Sequence, residues 1–246
     1  GEYSKRGRLL DCLESAARQY VNYLENDATG RRMKAYLLKR GLSENTIKDW
    51  QIGYGSEQWT AMFDYLRSQK FTEQEIFAAG LAGRSERGSV YDRFRDRIIF
   101  PIREASGTLI AFTARVNPEK ADTVTGGKYI NSPQTEVYDK SRVLFALDKA
   151  KKAIKERGFA IVVEGQMDAI ACHQHGFTNT VASSGTALTR EQLKLLKRFS
   201  FAVRIIRSGS GSAGWYKASA MVCSSMSSGC RLPSAIRCAS VRMAST

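Results

Sequence analysis

Glu164 and Asp168 carry the most chemical content in this chain, in the stretch Val162-Val163-Glu164-Gly165-Gln166-Met167-Asp168. The apolar run from Phe159 to Val163 reads as a buried strand that delivers Glu164 to its C-terminal end, where ligands gather in open α/β sheets. If Gly165 opens a helix, Asp168 lies about one turn beyond Glu164. Two carboxylates so spaced can share the oxygen shell of a divalent metal such as Mg²⁺. The same pattern also arises when acids simply occupy a helix N-terminus, where the helix dipole favours them.

The charge balance points to a partner. Lys and Arg number 38 against 24 Asp and Glu, a net charge of +14 with a pI near 9.7. Clustered cations gain free energy by releasing the counterions condensed on a polynucleotide. Arg93, Arg95, Arg97, Arg103 and Arg115, followed by Lys128 and Lys140, concentrate in the middle third. For the arginines the competing reading is a structural ion pair with Asp92 or Asp96; for the two lysines it is a solvated surface. The five cysteines include no Cys-x-x-Cys pair and no zinc-ligand spacing, so they read as reduced and structural. His173 and His175, two apart, face different sides of a helix and read as surface residues. No apolar run approaches the roughly 18 to 20 residues of a membrane span and no signal-peptide pattern opens the chain, so a cytoplasmic protein without a membrane partner is expected. An opening Gly1 instead of methionine suggests a fragment.

The elements that must position these residues follow from periodicity. Apolar residues at helical spacing predict a helix from Leu9 to Asn26, a second over Arg31 to Arg40 closed at Gly41, and a third opened by Ser43. Two more are expected over Ser56 to Ser68 and Thr72 to Ala79, the latter ending at Gly80. Strands are expected at Val90 to Tyr91, Arg97 to Arg103 and Thr108 to Val116, with a turn at Ser106-Gly107 and a polar loop over 117–127. A helix over Leu144 to Arg157 closes at Gly158. Strand and helix then alternate: Phe159 to Val163, Met167 to His175, Thr178 to Ala182, Arg190 to Arg198 and Phe201 to Ile206. That alternation predicts a parallel sheet with covering helices, hence an α/β fold. Ser183-Ser184-Gly185-Thr186 fills the second strand-to-helix turn, where it leaves room for a phosphate or serves as ordinary turn chemistry with Thr189 as N-cap.

Several blocks in order resemble the RNA-polymerase core of bacterial replicative DNA primase, the DnaG type. They are Tyr36-Leu37-Leu38-Lys39-Arg40-Gly41; Ile52-Gly53-Tyr54 before Trp59; Ala79-Gly80-Leu81; and Tyr91-Asp92-Arg93-Phe94-Arg95-Asp96-Arg97 running on to Ile102. Lys128 to Thr135 follows with Lys140, then Val163 to Asp168 and Ala182 to Thr189. The resemblance spans about residues 8 to 198 and implies a basic mixed α+β N-terminal subdomain over 1–157, then a truncated Toprim subdomain over 158–206. It also implies synthesis of short RNA primers on a single-stranded DNA template from ribonucleoside triphosphates, with Mg²⁺ or Mn²⁺ as cofactor. On this resemblance Glu164 is a metal ligand or a general base near the 3′-hydroxyl, and Asp168 is its partner in catalysis and metal binding. Arg93, Arg95, Arg97, Lys128 and Lys140 face nucleotide, nascent RNA and template, with Asn131 and Ser132 shaping the Lys128 loop. The family's zinc-binding domain and its helicase-binding C-terminal domain, the contact to the replicative helicase, are expected to lie outside this fragment. A non-catalytic Toprim-like single-strand binder is the alternative, and a nuclease or topoisomerase relative a weaker one.

The chain departs from the family where an Asp-x-Asp should end the third Toprim strand. Ile206-Arg207-Ser208-Gly209-Ser210-Gly211-Ser212 stands there, and hydroxyls cannot replace two carboxylate charges opposite a divalent cation. From 199 to 246 no Asp or Glu occurs and no amphipathic period survives, so 207–246 is expected to be an aberrant, disordered tail. Gly209-Ser210-Gly211-Ser212 can be encoded GGA-TCC-GGA-TCN, which read one base later gives Asp-Pro-Asp. A shifted reading frame after about Phe199 would explain the departure, and coding DNA lacking Asp-x-Asp in its other frames would exclude it. Little or no primer synthesis is expected from this exact polypeptide.

Overall fold

The computed structural model describes residues 4–121, 127–183, 188–200 and 202–206, and the backbone of 238–242. The chain divides into two compact units: Gly1–Ile102 with Thr108–Lys140, and Arg103–Gly107 with Ser141–Thr246.

The first unit begins with α1 (Lys5–Asn26), capped by the Ser4 hydroxyl accepting from the Gly7 N–H at 3.2 Å. Its apolar stripe, Leu9, Leu13, Ala16 and Tyr20, enters a core shared with Leu66, Ile76, Phe94 and Phe112. In α2 (Ala28–Lys39) the Asp27 carboxylate accepts from the Thr29 and Gly30 N–H groups. Gly30 lies against α1, where an added Cβ would stand 2.0 Å from the Tyr23 carbonyl oxygen. Then come α3 (Glu44–Asp49), β1 (Gly53–Gly55), α4 (Ala61–Ser68), α5 (Glu73–Ala78), β2 (Ala82–Arg84), β3 (Val90–Asp92), β4 (Arg97–Arg103), β5 (Leu109–Val116) and β6 (Tyr129–Asn131). One sheet has the order β1-β4-β5-β6, and β2 and β3 form a separate antiparallel ribbon. The left-handed glycines fall as expected, Gly41, Gly80 and Gly107 all having positive φ.

Two expectations in this unit need correction. The helix anticipated over Ser56 to Ser68 starts only at Ala61, because the buried Asp92 carboxylate accepts from the Met62 and Phe63 N–H groups at 2.7 and 2.9 Å and fixes the first turn there. Strands β1, β2 and β6 were not foreseen; each has three residues, too few to display alternation.

The second unit carries α6 (Leu147–Arg157), β7 (Phe159–Val163), α7 (Gln166–Gln174), β8 (Thr180–Ala182), α8 (Arg190–Lys197), β9 (Ala202–Ile206) and β10 (Cys238–Arg242). Its sheet has the order β10-β9-β7-β8, parallel among β9, β7 and β8 as the alternation predicted. The helix α6 starts three residues later than expected, since Phe145 first makes a β-bridge with Ala182 and Ala146 turns through a left-handed conformation. Leu147, Ala150 and Ile154 of α6 pack with Ala160, Val162 and Val181, so this helix belongs to the core of the second unit. In α8 a reciprocal Thr189–Gln192 cap sets the start, matching the Thr189 expectation. Of the tail, only β10 is described; it pairs antiparallel with β9, whose edge backbone groups it satisfies. Residues 184–187, 207–237 and 243–246, on which the phosphate-turn and tail expectations rest, lie outside the described residues. Among the described residues no helix is long and apolar enough to cross a membrane.

Candidate nucleic-acid interface

The basic residues of the first unit gather around the corner between β3 and β4. Phe94 is buried in the core, while Arg93 and Arg95 on either side of it are half-buried, and Arg97 opens β4 with 8% exposure. Asp92 and Asp96, the carboxylates that might have consumed these cations, are occupied elsewhere. Asp92 serves α4, and burial pushes it up to about 6 against the hydrogen bonds from Met62 and Phe63. Asp96 Oδ1 accepts from Tyr54 Oη and Asn117 Nδ2, both at 2.8 Å, and its Oδ2 pairs with Lys120 Nζ at 2.9 Å. Among the described residues neither aspartate makes an ion pair with Arg93, Arg95 or Arg97. Burial lowers the pKa of the Arg95 and Arg97 guanidinium groups, which stay charged.

Aromatic rings take the place of counter-charges. The Arg95 guanidinium lies 3.5 Å from the Trp59 ring centroid, and Trp59 is 54% exposed. Arg115 donates to Tyr36 Oη at 3.0 Å and to Tyr129 Oη at 3.1 Å, with its guanidinium 5.7 Å from each ring centre. Arg93 Nε, Arg95 Nη1, Arg115 Nε and Asn131 Oδ1 are buried polar atoms with no hydrogen-bond partner among the described residues. Such atoms carry a desolvation cost that a ligand can relieve.

Backbone ties hold Lys128 beside this corner, while Asn131 lies farther along β6. Arg97 Nη1 donates to the Gly127 carbonyl at 3.4 Å, the Lys128 carbonyl accepts from the Val116 N–H, and Asn131 sits opposite Thr113 in the β5–β6 ladder. Ser132 exchanges two bonds with the Phe112 backbone, holding the end of β6. Lys140 opens a 3₁₀ turn over Lys140–Arg142 at the end of the first unit. In the sequence Trp59 stands out only as a landmark and Arg115 only as a charge, because the Arg115–Tyr129 cross-strand pair depends on a register the sequence does not display.

In the second unit Glu164 stands exposed just after β7 and Asp168 lies in the first turn of α7. Gly165 is the N-cap of α7, and a Cβ there would come within 2.9 Å of Asp168 Oδ2, so the Asp168 carboxylate folds over that glycine. Toprim folds generally use a divalent metal. Two carboxylates are hard oxygen donors of the kind that bind divalent cations. Among the described residues no group of three or more His, Cys, Asp or Glu could hold a metal. Cys12 and Cys172 are buried free thiols, each pushed up to about 12 by burial, in keeping with a structural role. His173 departs from the surface expectation: half-buried, it places Nε2 2.8 Å from the Thr180 carbonyl, and burial lowers it to about 4.

A basic α+β unit and a parallel sheet bearing a strand-end Glu-Gly-x-x-Asp define a Toprim-type nucleic-acid protein. The family model for the DNA primase catalytic core, N-terminal domain, matches residues 19–151, and a Toprim-like model matches 161–214. The chain belongs to the DnaG-type DNA primase family. It is 39% identical over 209 residues to a DNA primase of Synechococcus elongatus, covering 83% of this chain and 29% of that protein. The chain thus spans about a third of the length of the curated relatives it matches. Among solved structures, the RNA polymerase domain of Mycobacterium tuberculosis primase DnaG superposes with a TM-score of 0.73 at 35% identity, over 79% of this chain and 62% of that one. A DnaG primase catalytic domain bound to ssDNA superposes with a TM-score of 0.71 at 31% identity, over 90% and 69%.

Proposed function

We propose that this chain is the template-handling portion of a primase core. Arg93, Arg95, Arg97, Lys128, Asn131 and Lys140 hold single-stranded DNA and the incoming ribonucleoside triphosphate, and the reaction served is synthesis of a short RNA primer in the cytoplasm. The observation that carries this reading is a cluster of arginines that, among the described residues, make no ion pair with Asp92 or Asp96, whose carboxylates bond to other partners. Support for the template comes from the related catalytic domain bound to ssDNA. Charged guanidinium groups on exposed or half-buried rings suit a phosphate backbone and base faces together.

Glu164 and Asp168 would hold Mg²⁺ or Mn²⁺, which when bound neutralises phosphate charge and aligns a 3′-hydroxyl with the α-phosphate. Glu164, exposed at the strand end, is the group placed to accept that hydroxyl's proton or to ligate the metal. Lacking the Asp-x-Asp, the chain polymerises poorly while retaining its affinity for single strands.

The test pairs two readouts on the purified chain: anisotropy of a labelled single-stranded oligonucleotide, and template-dependent ribonucleotide incorporation with Mg²⁺ or Mn²⁺. Salt-sensitive binding with incorporation near background is expected, and Glu164→Ala should leave binding within about twofold, because a metal-site acid contributes nothing to the phosphate contacts. Absence of single-strand binding at low salt overturns the reading. Robust incorporation overturns the impairment.

A further inference from the structure

We infer that Asp96 is a positioning residue for nucleic-acid binding: its carboxylate clamps the arginine corner to the segment Asn117–Ala121, and so strengthens polyanion binding although its own charge opposes it. The inference rests on the proposed single-strand binding. Asp96 sits between Arg95 and Arg97 with φ of 50°, a left-handed conformation that Asp tolerates better than most residues. Its N–H donates to the Ser56 carbonyl and its carbonyl accepts from the Asn117 N–H, each at 3.2 Å. The side chain adds Tyr54 Oη, Asn117 Nδ2 and Lys120 Nζ, so five bonds join the corner to the end of β1 and to the segment after β5. Lys120 is held in turn by Glu57 at 3.0 Å, and Glu57 accepts from Thr29 Oγ1 at 3.0 Å. The Asn117 side chain is fully buried, so the clamp is set into the fold and is not a surface pairing.

The geometry separates two effects that would otherwise be confused. An acid between two phosphate-binding arginines repels a polyanion by simple Coulomb reasoning, so its neutralisation should tighten binding. Asp96→Asn keeps the size and the tolerance for left-handed backbone, and the amide oxygen can still accept from Tyr54 and Asn117. Its NH₂ group, however, would face the Lys120 ammonium, donor against donor, and that arm of the clamp opens. Positioning therefore predicts weaker binding from a chain that has become more positive.

The experiment measures the affinity of a single-stranded oligonucleotide as a function of salt for the whole chain, for Asp96→Asn and for Glu119→Gln. Glu119 lies within the clamped segment, but its exposed carboxylate pairs with Arg32 at 3.3 Å and makes none of the Asp96 bonds, so Glu119→Gln removes an acid while leaving the clamp closed. Asp96→Asn is expected to weaken binding at least threefold and to flatten the salt dependence by about one contact, with Glu119→Gln unchanged or slightly tighter. Hydrogen exchange supplies the second arm: protection of the 117–120 amides should fall in Asp96→Asn while α1 stays protected. Equal or tighter binding by Asp96→Asn, or unchanged exchange at 117–120, overturns the inference. If the parent chain fails to bind single strands, the functional reading falls and the exchange arm alone decides whether the clamp exists.

Discussion

Asp92 and Asp96 decide what the neighbouring arginines are free to do. Each is adjacent in sequence to an arginine, and reading by proximity would pair them. The fold instead spends Asp92 on the first turn of α4 and Asp96 on Lys120, Asn117 and Tyr54. Gly165 plays a comparable single-residue role in the second unit. Its backbone is extended, φ −109°, so alanine fits the conformation, and among the described residues the one tight contact for a Cβ is the tip of the Asp168 carboxylate. Gly165→Ala should therefore cost less than about 1 kcal/mol of stability, because a mobile side-chain end can yield. It should displace Asp168 and weaken Mn²⁺ binding at least threefold, read by electron paramagnetic resonance alongside a thermal melt. Unchanged Mn²⁺ affinity would show that Asp168 serves only the helix terminus.

At the scale of elements, α1 and α5 are joined by a forked ion pair that is testable by pH. Arg8 Nε and Nη2 donate to the two Glu75 oxygens at 2.7 and 3.0 Å, while Glu75 also completes the capping box of α5 with Thr72. The Arg8 bond is the main cause that holds Glu75 down at about 2. A depressed carboxylate stabilises the fold above its ordinary value, 4.5, and that contribution is lost as pH falls from there toward about 2. Glu75→Gln keeps a capping box but loses the charge. It should cost about 1 kcal/mol at pH 7, a figure reduced for partial exposure, and the gap from the parent in urea midpoint should shrink as pH drops below about 4.5. A gap independent of pH would contradict the ion pair. The long amphipathic helix α1, the seven-residue β4 and the apolar β7 were legible because their periods extend over enough residues to declare themselves. Strands β1, β2 and β6, the start of α4 and the Arg115–Tyr129 pair were not, because each is fixed by a partner distant in sequence. Of the candidate site residues, Glu164 and the Arg93 to Arg97 run stand out in the sequence by type and spacing. The fact that their local acids serve other partners required the fold.

For the whole molecule, the proposed function divides between the two units: a basic corner in the first and a strand-end carboxylate pair in the second. A net charge of +14 alone would allow diffuse attraction to any nucleic acid. The proposed function is narrower, with Arg93, Arg95 and Arg97 as the main source of affinity. The most direct test is the salt dependence of single-stranded oligonucleotide affinity for the chain and for Arg93→Ala/Arg95→Ala/Arg97→Ala, with circular dichroism confirming that the variant folds. At roughly 0.7 per phosphate contact on a single strand, loss of three contacts should lower the log–log slope by about 2. Affinity at low salt should fall at least tenfold. A variant that folds and keeps both the slope and the affinity of the parent would contradict the account.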